Sequence, residues 1–262
     1  MEKAQSDAVS QKTKAEALCW LAELSYKADS PAQAIKYLNS YFALGNVLKQ
    51  LNESASVYVA NYSMGYNYLK TGNYSQAKKY FEKASTTIEN NRSFIKSRYI
   101  KDNILGDSYL RTADCYFKLN SYSNANKYYD KAIENKSMDF VYALYQKAQI
   151  QGLLGNTTDK ILLLEEIFTD YPKSQYADDA MFALAETYQE IDNKQMAMKT
   201  LRQLVEDYGT KSEWIKSTYL KMGLIAFNQG NMNNSAEYYK AVFRLNPSKD
   251  ETLIAKDALK EI

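Results

Sequence analysis

The chain has 262 residues, 45% of them hydrophobic, with 33 basic residues against 31 acidic ones and no histidine. A formal net charge of +2, spread along the whole length, supplies no field to draw in nucleic acid or an anionic membrane surface. The lack of histidine removes the commonest general base and metal ligand, and a scarcity of glycine, proline and alternating β-branched runs predicts helices rather than a sheet.

The N-terminal stretch up to Leu18 has no apolar signal core. The densest apolar run, Ile161 to Leu164, is far shorter than the roughly 20 residues needed to cross a bilayer, so no direct membrane insertion is expected. From Ala15 onward a frame recurs six times. A small residue is followed seven positions later by a turn former: Ala22 and Asp29, Gly65 and Gly72, Ala113 and Asn120, Ala148 and Gly155, Ala185 and Asp192, Gly223 and Gly230. Glycine, asparagine and aspartate are the residues that most easily end a helix in the left-handed conformation.

Farther along each unit lies a third column of Ala34, Ala77, Ala125, Lys160, Ala197 and Ser235. A fourth holds Leu38, Phe81, Tyr129, Leu164, Leu201 and Tyr239. A helix, a tight turn and a second helix account for all four columns. The expected units run over about 15–46, 58–89, 106–137, 141–172, 178–209 and 216–247, with a partial helix over 250–262.

In the first unit, Trp20 and Leu21 sit on the first helix and Ile35, Leu38 and Tyr41 on the second. The fourth unit, with Lys160 in a column of small residues, is the weakest match. Helix stops are expected near Asn46, Glu89, Ser137, Pro172, Gly209 and Pro247. The first two intervals between anchors exceed the later ones. The excess falls in 44–60 and 86–106, where amphipathic spacing continues through Val47, Leu48 and Leu51, and through Ile95, Tyr99 and Ile104. Long helices making a bend or an arm are expected there. The partial helix at the end reads as a terminal cap or as the opening of a further repeat.

The columns resemble the tetratricopeptide repeat family, most closely in MGYNYLKTGNYSQAKKYFEKA and MGLIAFNQGNMNNSAEYYKAVFRLNP. The resemblance implies an all-α, right-handed α-solenoid of about six helix-turn-helix repeats with a terminal helix, running as one array over 1–262. It also implies a non-catalytic scaffold that binds a protein or peptide segment on its concave face, or else a structural or self-assembling spacer segment of a larger cell-envelope protein of this family. A narrower resemblance lies in FTDYPKSQYADDAMFALAETY, where Tyr171, Pro172, Ser174, Tyr176, Ala177 and Asp178 are similar to a junction in bacterial cell-envelope members. Those members include the outer-membrane β-barrel assembly lipoprotein and the Tol–Pal coordinator, and the composition is also similar to repeat proteins of Bacteroidota envelopes. This implies a periplasmic or outer-membrane-associated setting, with the cytoplasm left open.

In that family the first helices line the concave wall. The residues this places on the ligand face are Tyr62, Tyr66, Asp114, Lys118, Tyr145, Gln149, Phe182, Glu186, Gln189 and Asn228. Aromatic residues with adaptable polar neighbours suit a protein partner, although Tyr62, Tyr145 and Phe182 equally suit packing between adjacent first helices. The carboxylate clamp of chaperone adaptors is absent: no basic residue stands three positions before an anchor and no asparagine one position after.

No phosphate loop, nucleophile elbow or CxxC pair occurs. Asp178 and Asp179 are placed to open a helix, where negative charge favours the N-terminal dipole. The basic stretch of Arg92, Lys96, Arg98 and Lys101 reads as a solvated face, and Cys19 and Cys115 read as small apolar residues. No enzyme activity, cofactor or metal is expected.

Overall fold

The computed structural model describes residues 2–45 and 55–262, with side chains from Ser10 onward. Asn46, Val47, Leu48 and Leu51 lie outside the described residues. Among those described there are thirteen α-helices and no strand, so the fold is all-α.

The chain divides into two compact units, Met1–Ala143 and Leu144–Ile262. The first holds α1 (Glu2–Lys27), α2 (Pro31–Phe42), α3 (Val57–Lys70), α4 (Tyr74–Asn91), α5 (Leu105–Lys118) and α6 (Tyr122–Glu134). Helix α7 (Phe140–Leu153) runs across the division. The second unit continues with α8 (Thr157–Asp170), α9 (Ala177–Glu190), α10 (Lys194–Asp207), α11 (Ile215–Asn228), α12 (Met232–Phe243) and α13 (Lys249–Glu261).

Each hairpin turn is closed in the same way. Asp29, Gly72, Asn120, Gly155, Asp192 and Gly230 all have positive φ, between 57° and 77°. Each donates its N–H to the carbonyl three residues back, and the next residue donates five back, as in Gly72 to Leu69 and Asn73 to Tyr68. These are Schellman motifs, which satisfy carbonyls that the helix end would leave open. The following helix is then capped from the same turn: Asn73, Asn193 and Asn231 accept from the backbone N–H groups of Gln76, Met196 and Asn234.

The small columns mark where paired helices touch. Ala113, Ala148, Ala185, Ala34, Ala77, Ala125, Ala197 and Ser235 are fully buried. Against them pack Leu38, Phe81, Tyr129, Leu164, Leu201 and Tyr239, all buried as well. At Gly65 and Gly223 a side chain has no room, since a Cβ would stand 2.7 Å from the rings of Phe81 and Tyr239 respectively. Lys160 fits the fourth hairpin by a different route. Its stem crosses Gly152, where a Cβ would meet Lys160 Cδ at 3.0 Å, and its ammonium reaches Glu190 at 3.7 Å.

Trp20 and Leu21 lie on the first helix as expected, and both are exposed, because α1 packs on α2 and α3 through Ala15, Ala22 and the half-buried Leu18 and Cys19. Helix α4 ends near Glu89 as expected, at Asn91. One expectation is corrected. The excess over 86–106 is no single long helix: a break over 92–97 leads into a π-helical segment, Ile100–Ile104, joined to α5. Ile95, Ile100 and Ile104 are buried there while Tyr99 is exposed. The widened turn thus fits one added residue per cycle into the helix that enters α5.

The terminal helix α13 starts with a reciprocal capping box, in which Ser248 and Glu251 each bond the other's backbone N–H. Ala255 is its buried contact with the core around Tyr239 and Val242.

Candidate functional site

In the first unit the site is built on α5, where Asp107, Arg111 and Asp114 follow at spacings that place them on one helix face. Arg111 Nε lies 3.1 Å from Asp107 Oδ1 and its Nη1 lies 2.5 Å from Asp114 Oδ2. From α3, Tyr62 and Tyr66 both donate to Asp107 Oδ2, at 2.8 and 2.5 Å. From α6 Tyr129 donates to Asp114 Oδ1 at 2.7 Å, and Tyr142, at the start of α7, donates to the same oxygen at 3.0 Å. All four carboxylate oxygens are therefore engaged. The Arg111 guanidinium also lies over the Tyr142 ring, 5.8 Å from its centroid.

Burial, reinforced by the Asp107 charge, pushes the Tyr62 and Tyr66 hydroxyls far above the ordinary phenol range. Burial and Asp114 do the same to Tyr129. These hydroxyls remain donors throughout the physiological range. Burial also drives the Asp114 carboxyl upward, against the opposing pull of Arg111, Tyr129 and Tyr142. The network holds no activated base or nucleophile; it fixes the first helices α3 and α5 in register.

In the second unit the first helices α9 and α11 carry a second cluster. The Phe182 ring stacks on Trp214, centroids 4.4 Å apart and 15° from parallel, and is 5% exposed. The Trp214 indole N–H donates to Asp179 Oδ1 at 2.5 Å. Lys221 pairs with Glu186 at 3.0 Å, reaches Gln189 Oε1 at 3.4 Å and lies 5.4 Å over the Phe182 ring. Tyr145 stacks on Tyr176 at 6.1 Å, and burial, followed by the Asp179 and Glu186 charges, pushes its hydroxyl up to about 12. A cavity of about 540 Å³ opens beside Tyr176, Asp179 and Trp214.

Of the residues that the sequence places on the ligand face, Tyr62, Tyr66 and Asp114 are brought together through Asp107 and Arg111. Phe182, Glu186 and Gln189 meet around Lys221. Gln149 is half-buried on α7, and Lys118 and Asn228 are exposed as the last residues of α5 and α11. Phe182 lies beneath Trp214 and has almost no free surface. Asp179 occupies the first turn of α9, as its dipole role requires, and also accepts from Trp214.

Sequence reasoning passed over Asp107, Arg111, Tyr142, Trp214 and Lys221. The four-and-three charge spacing on α5 was the available signal for the first two. The tyrosine and tryptophan partners come from other helices and leave no local trace.

Among the described residues no group of three or more histidine, cysteine, aspartate or glutamate side chains is placed to hold a metal ion. No helix there is long and apolar enough to cross a membrane. Cys19 and Cys115 are free thiols, the latter fully buried.

Comparison with known proteins agrees with the repeat geometry. Family models described as tetratricopeptide repeat match residues 107–135, 142–174 and 179–210 in one version, and 58–91 and 217–249 in another. No curated protein sequence matches the chain.

Among solved structures, YrrB, described as a TPR protein with an unusual peptide-binding site, is 19% identical with a TM-score of 0.54. That match covers 77% of this chain and 91% of YrrB. MamA from Desulfovibrio magneticus RS-1 is 14% identical with a TM-score of 0.52, over 74% of this chain and 97% of MamA. The Pyrococcus horikoshii Signal Transduction ATPase with Numerous Domains, which carries a tetratricopeptide repeat sensor, is 19% identical with a TM-score of 0.68. It covers 96% of this chain, which spans 39% of that protein. At such identities the likeness concerns the fold. The family matches span more than half of the sequence and fall on the observed hairpins, and the chain belongs to the tetratricopeptide repeat family.

Proposed function

We propose that this chain is a non-catalytic protein-interaction scaffold whose first-helix face, the concave wall in the family, receives a protein or extended peptide segment. The observation that carries this reading is the way first-helix side chains are pre-positioned. In the first unit Tyr62 and Tyr66 are held through Asp107; in the second, Lys221, Glu186 and Gln189 are assembled over Phe182. Rigid aromatic and polar groups held in advance lower the ordering cost of association. Lys118 in the first unit, and Gln149 and Asn228 in the second, add adaptable polar groups to the first helices of their own units. No side chain in either cluster is left as a free base or nucleophile, which favours binding over catalysis. The envelope setting suggested by the Tyr171–Asp178 junction belongs to this proposal, and cell fractionation with an antibody to the chain tests it.

The test is selection of peptides from a random display library on the immobilised protein. Ser63→Arg combined with Gln149→Arg alters the first-helix face of each unit without touching the tyrosine network. Selected peptides should lose at least about tenfold in affinity for that variant and bind the second-helix variant Thr86→Arg normally. Equal binding to both variants contradicts the proposal.

A spacer role is the second reading. It is favoured by one observation: the hydroxyls of Tyr62, Tyr66 and Tyr129 are all spent on internal carboxylates. A selection that yields no specific peptide supports it.

A further inference from the structure

The repeat register relates a pair of first helices in one unit to a pair in the other. In the second unit Glu186 and Gln189 stand one and four positions after the α9 anchor Ala185, and Lys221 stands two before the α11 anchor Gly223. Lys221 bridges those helices. Its ammonium lies 3.0 Å from Glu186, 3.4 Å from Gln189 Oε1 and 5.4 Å from the centre of the Phe182 ring. Counted from the anchors Ala22 and Gly65 of α1 and α3, the same positions hold Glu23, Tyr26 and Ser63. The carboxylate is kept, a serine stands in place of the lysine, and a groove of about 230 Å³ opens there.

Glu23, Tyr26, Tyr62, Ser63 and Tyr66 line this groove, with Ala22 and Asn67. Tyr62 and Tyr66 meet edge to face at 5.0 Å, and Tyr26 and Tyr66 at 6.4 Å. Tyr62 and Tyr66 donate to Asp107, so both rings are held before any ligand arrives. Donation to a carboxylate also enriches a phenol ring in electrons, and the negative face of such a ring attracts a cation. The ammonium groups already nearby have carboxylates of their own. Lys70, 4.6 Å over the Tyr26 ring, is held by Asp29 at 2.6 Å, and Lys27 takes Oε1 of Glu23 at 2.7 Å. The Lys27 pair is exposed and therefore weak, and Glu23 Oε2 is left to accept an incoming donor.

We infer that the groove between α1 and α3 is a seat for a lysine side chain of a partner segment, its stem along the tyrosine rings and its ammonium on the Glu23 carboxylate. The inference rests on the proposed role of the first-helix face in protein binding. The partner supplies in trans the group that Lys221 supplies from α11. The volume is below the roughly 300–1,000 Å³ of small-molecule pockets and suits one side chain. An aromatic wall beside a single carboxylate matches the two halves of a lysine, an apolar stem and a charged tip. An acidic side chain would meet Glu23 as a like charge, and an aliphatic one would leave the carboxylate without a donor.

The test uses two blocked tripeptides, Ala-Lys-Ala and Ala-norleucine-Ala, which differ only in the ammonium, titrated into the uniformly labelled protein and followed by NMR. The lysine peptide should shift the ring resonances of Tyr26, Tyr62 and Tyr66 and bind about tenfold more tightly than the norleucine peptide. Glu23→Gln should remove most of that preference. Ser63→Lys gives α3 the lysine that α11 carries, and should weaken the lysine peptide by at least about tenfold while circular dichroism stays unchanged. Equal affinities for the two peptides in the unaltered protein overturn the inference. So do tyrosine resonances that the lysine peptide leaves unmoved, and a Ser63→Lys protein that binds it as tightly as before.

The outcome is separable from the scaffold proposal. Display-selected peptides that bind the first-helix face but carry no lysine overturn this seat and leave the scaffold intact. A failed peptide selection overturns the scaffold while the tripeptide titration still reads the groove.

Discussion

Arg111 and Asp114 form a close charged contact in the first unit, with Nη1 2.5 Å from Oδ2 and neither side chain more than 23% exposed. One turn earlier the same guanidinium meets Asp107, which in turn accepts from Tyr62 and Tyr66. Arg111 thus bonds both carboxylates. Replacing it by methionine leaves two largely buried carboxylates facing each other. Arg111→Met should destabilise the first unit by about 2–4 kcal/mol, read by urea denaturation. Tyr129→Phe, which removes one hydroxyl from the same network, should cost only about 1–2 kcal/mol.

The small columns make a packing prediction. Gly65→Ala places a Cβ 2.7 Å from the Phe81 ring, and Phe81 is fully buried and cannot swing aside. Ala113→Leu and Ala185→Leu overfill sites with no free surface. Each should cost about 1–3 kcal/mol. The same change at exposed Thr86 should leave the thermal midpoint within about a degree, since surface substitutions rarely exceed ~0.5 kcal/mol.

The Glu251 carboxyl is held below its ordinary value, first by the Ser248 backbone N–H and then by Lys216, whose ammonium lies 3.1 Å away on α11. A depressed folded value means that the unfolded form takes up the proton first. The stabilisation is therefore full above the ordinary glutamate value of about 4.3 and is lost as pH falls through the lower folded value. Amide exchange in α13 should accelerate, relative to α12, as pH drops from about 5 to about 3 once the intrinsic pH dependence is removed. Glu251→Gln should abolish that differential response.

Burial, followed by the charge of Asp114, pushes the Cys115 thiol up to about 12, and its side chain is fully buried. Only the thiolate reacts. Alkylation at pH 8 should proceed only through opening of the first unit and follow its unfolding rate. Cys19, half-buried on α1 with its thiol also pushed up to about 12, should react faster because less structure must open.

The hairpin frame was legible because two physical constraints act on single residues. A left-handed turn position restricts residue type, and all six predicted positions have positive φ. Close helix approach demands a small side chain, and Lys160 escapes that demand only by lying across Gly152. The tyrosine network was not legible in the same way. Tyr62 and Asp107 sit 45 residues apart, on helices whose offset is set by the irregular stretch before α5. Placing Tyr62, Tyr66 and Asp114 on the first helices followed from the repeat; finding that Asp107 and Arg111 join them required the packing. Trp20 and Leu21 lie on the first helix as expected, yet both are exposed. Helical periodicity gives a side chain its direction, but the neighbours present decide whether that direction is covered.

The most direct measurement of the central claim is site-specific photo-cross-linking to a display-selected peptide. A photoreactive residue is placed at Ser63 on the first-helix face of the first unit, or at Thr86 on α4. The account predicts cross-links from Ser63 that are competed by unlabelled peptide, and none from Thr86. Competable cross-links from Thr86 alone would contradict it, and would move the binding surface to the second helices.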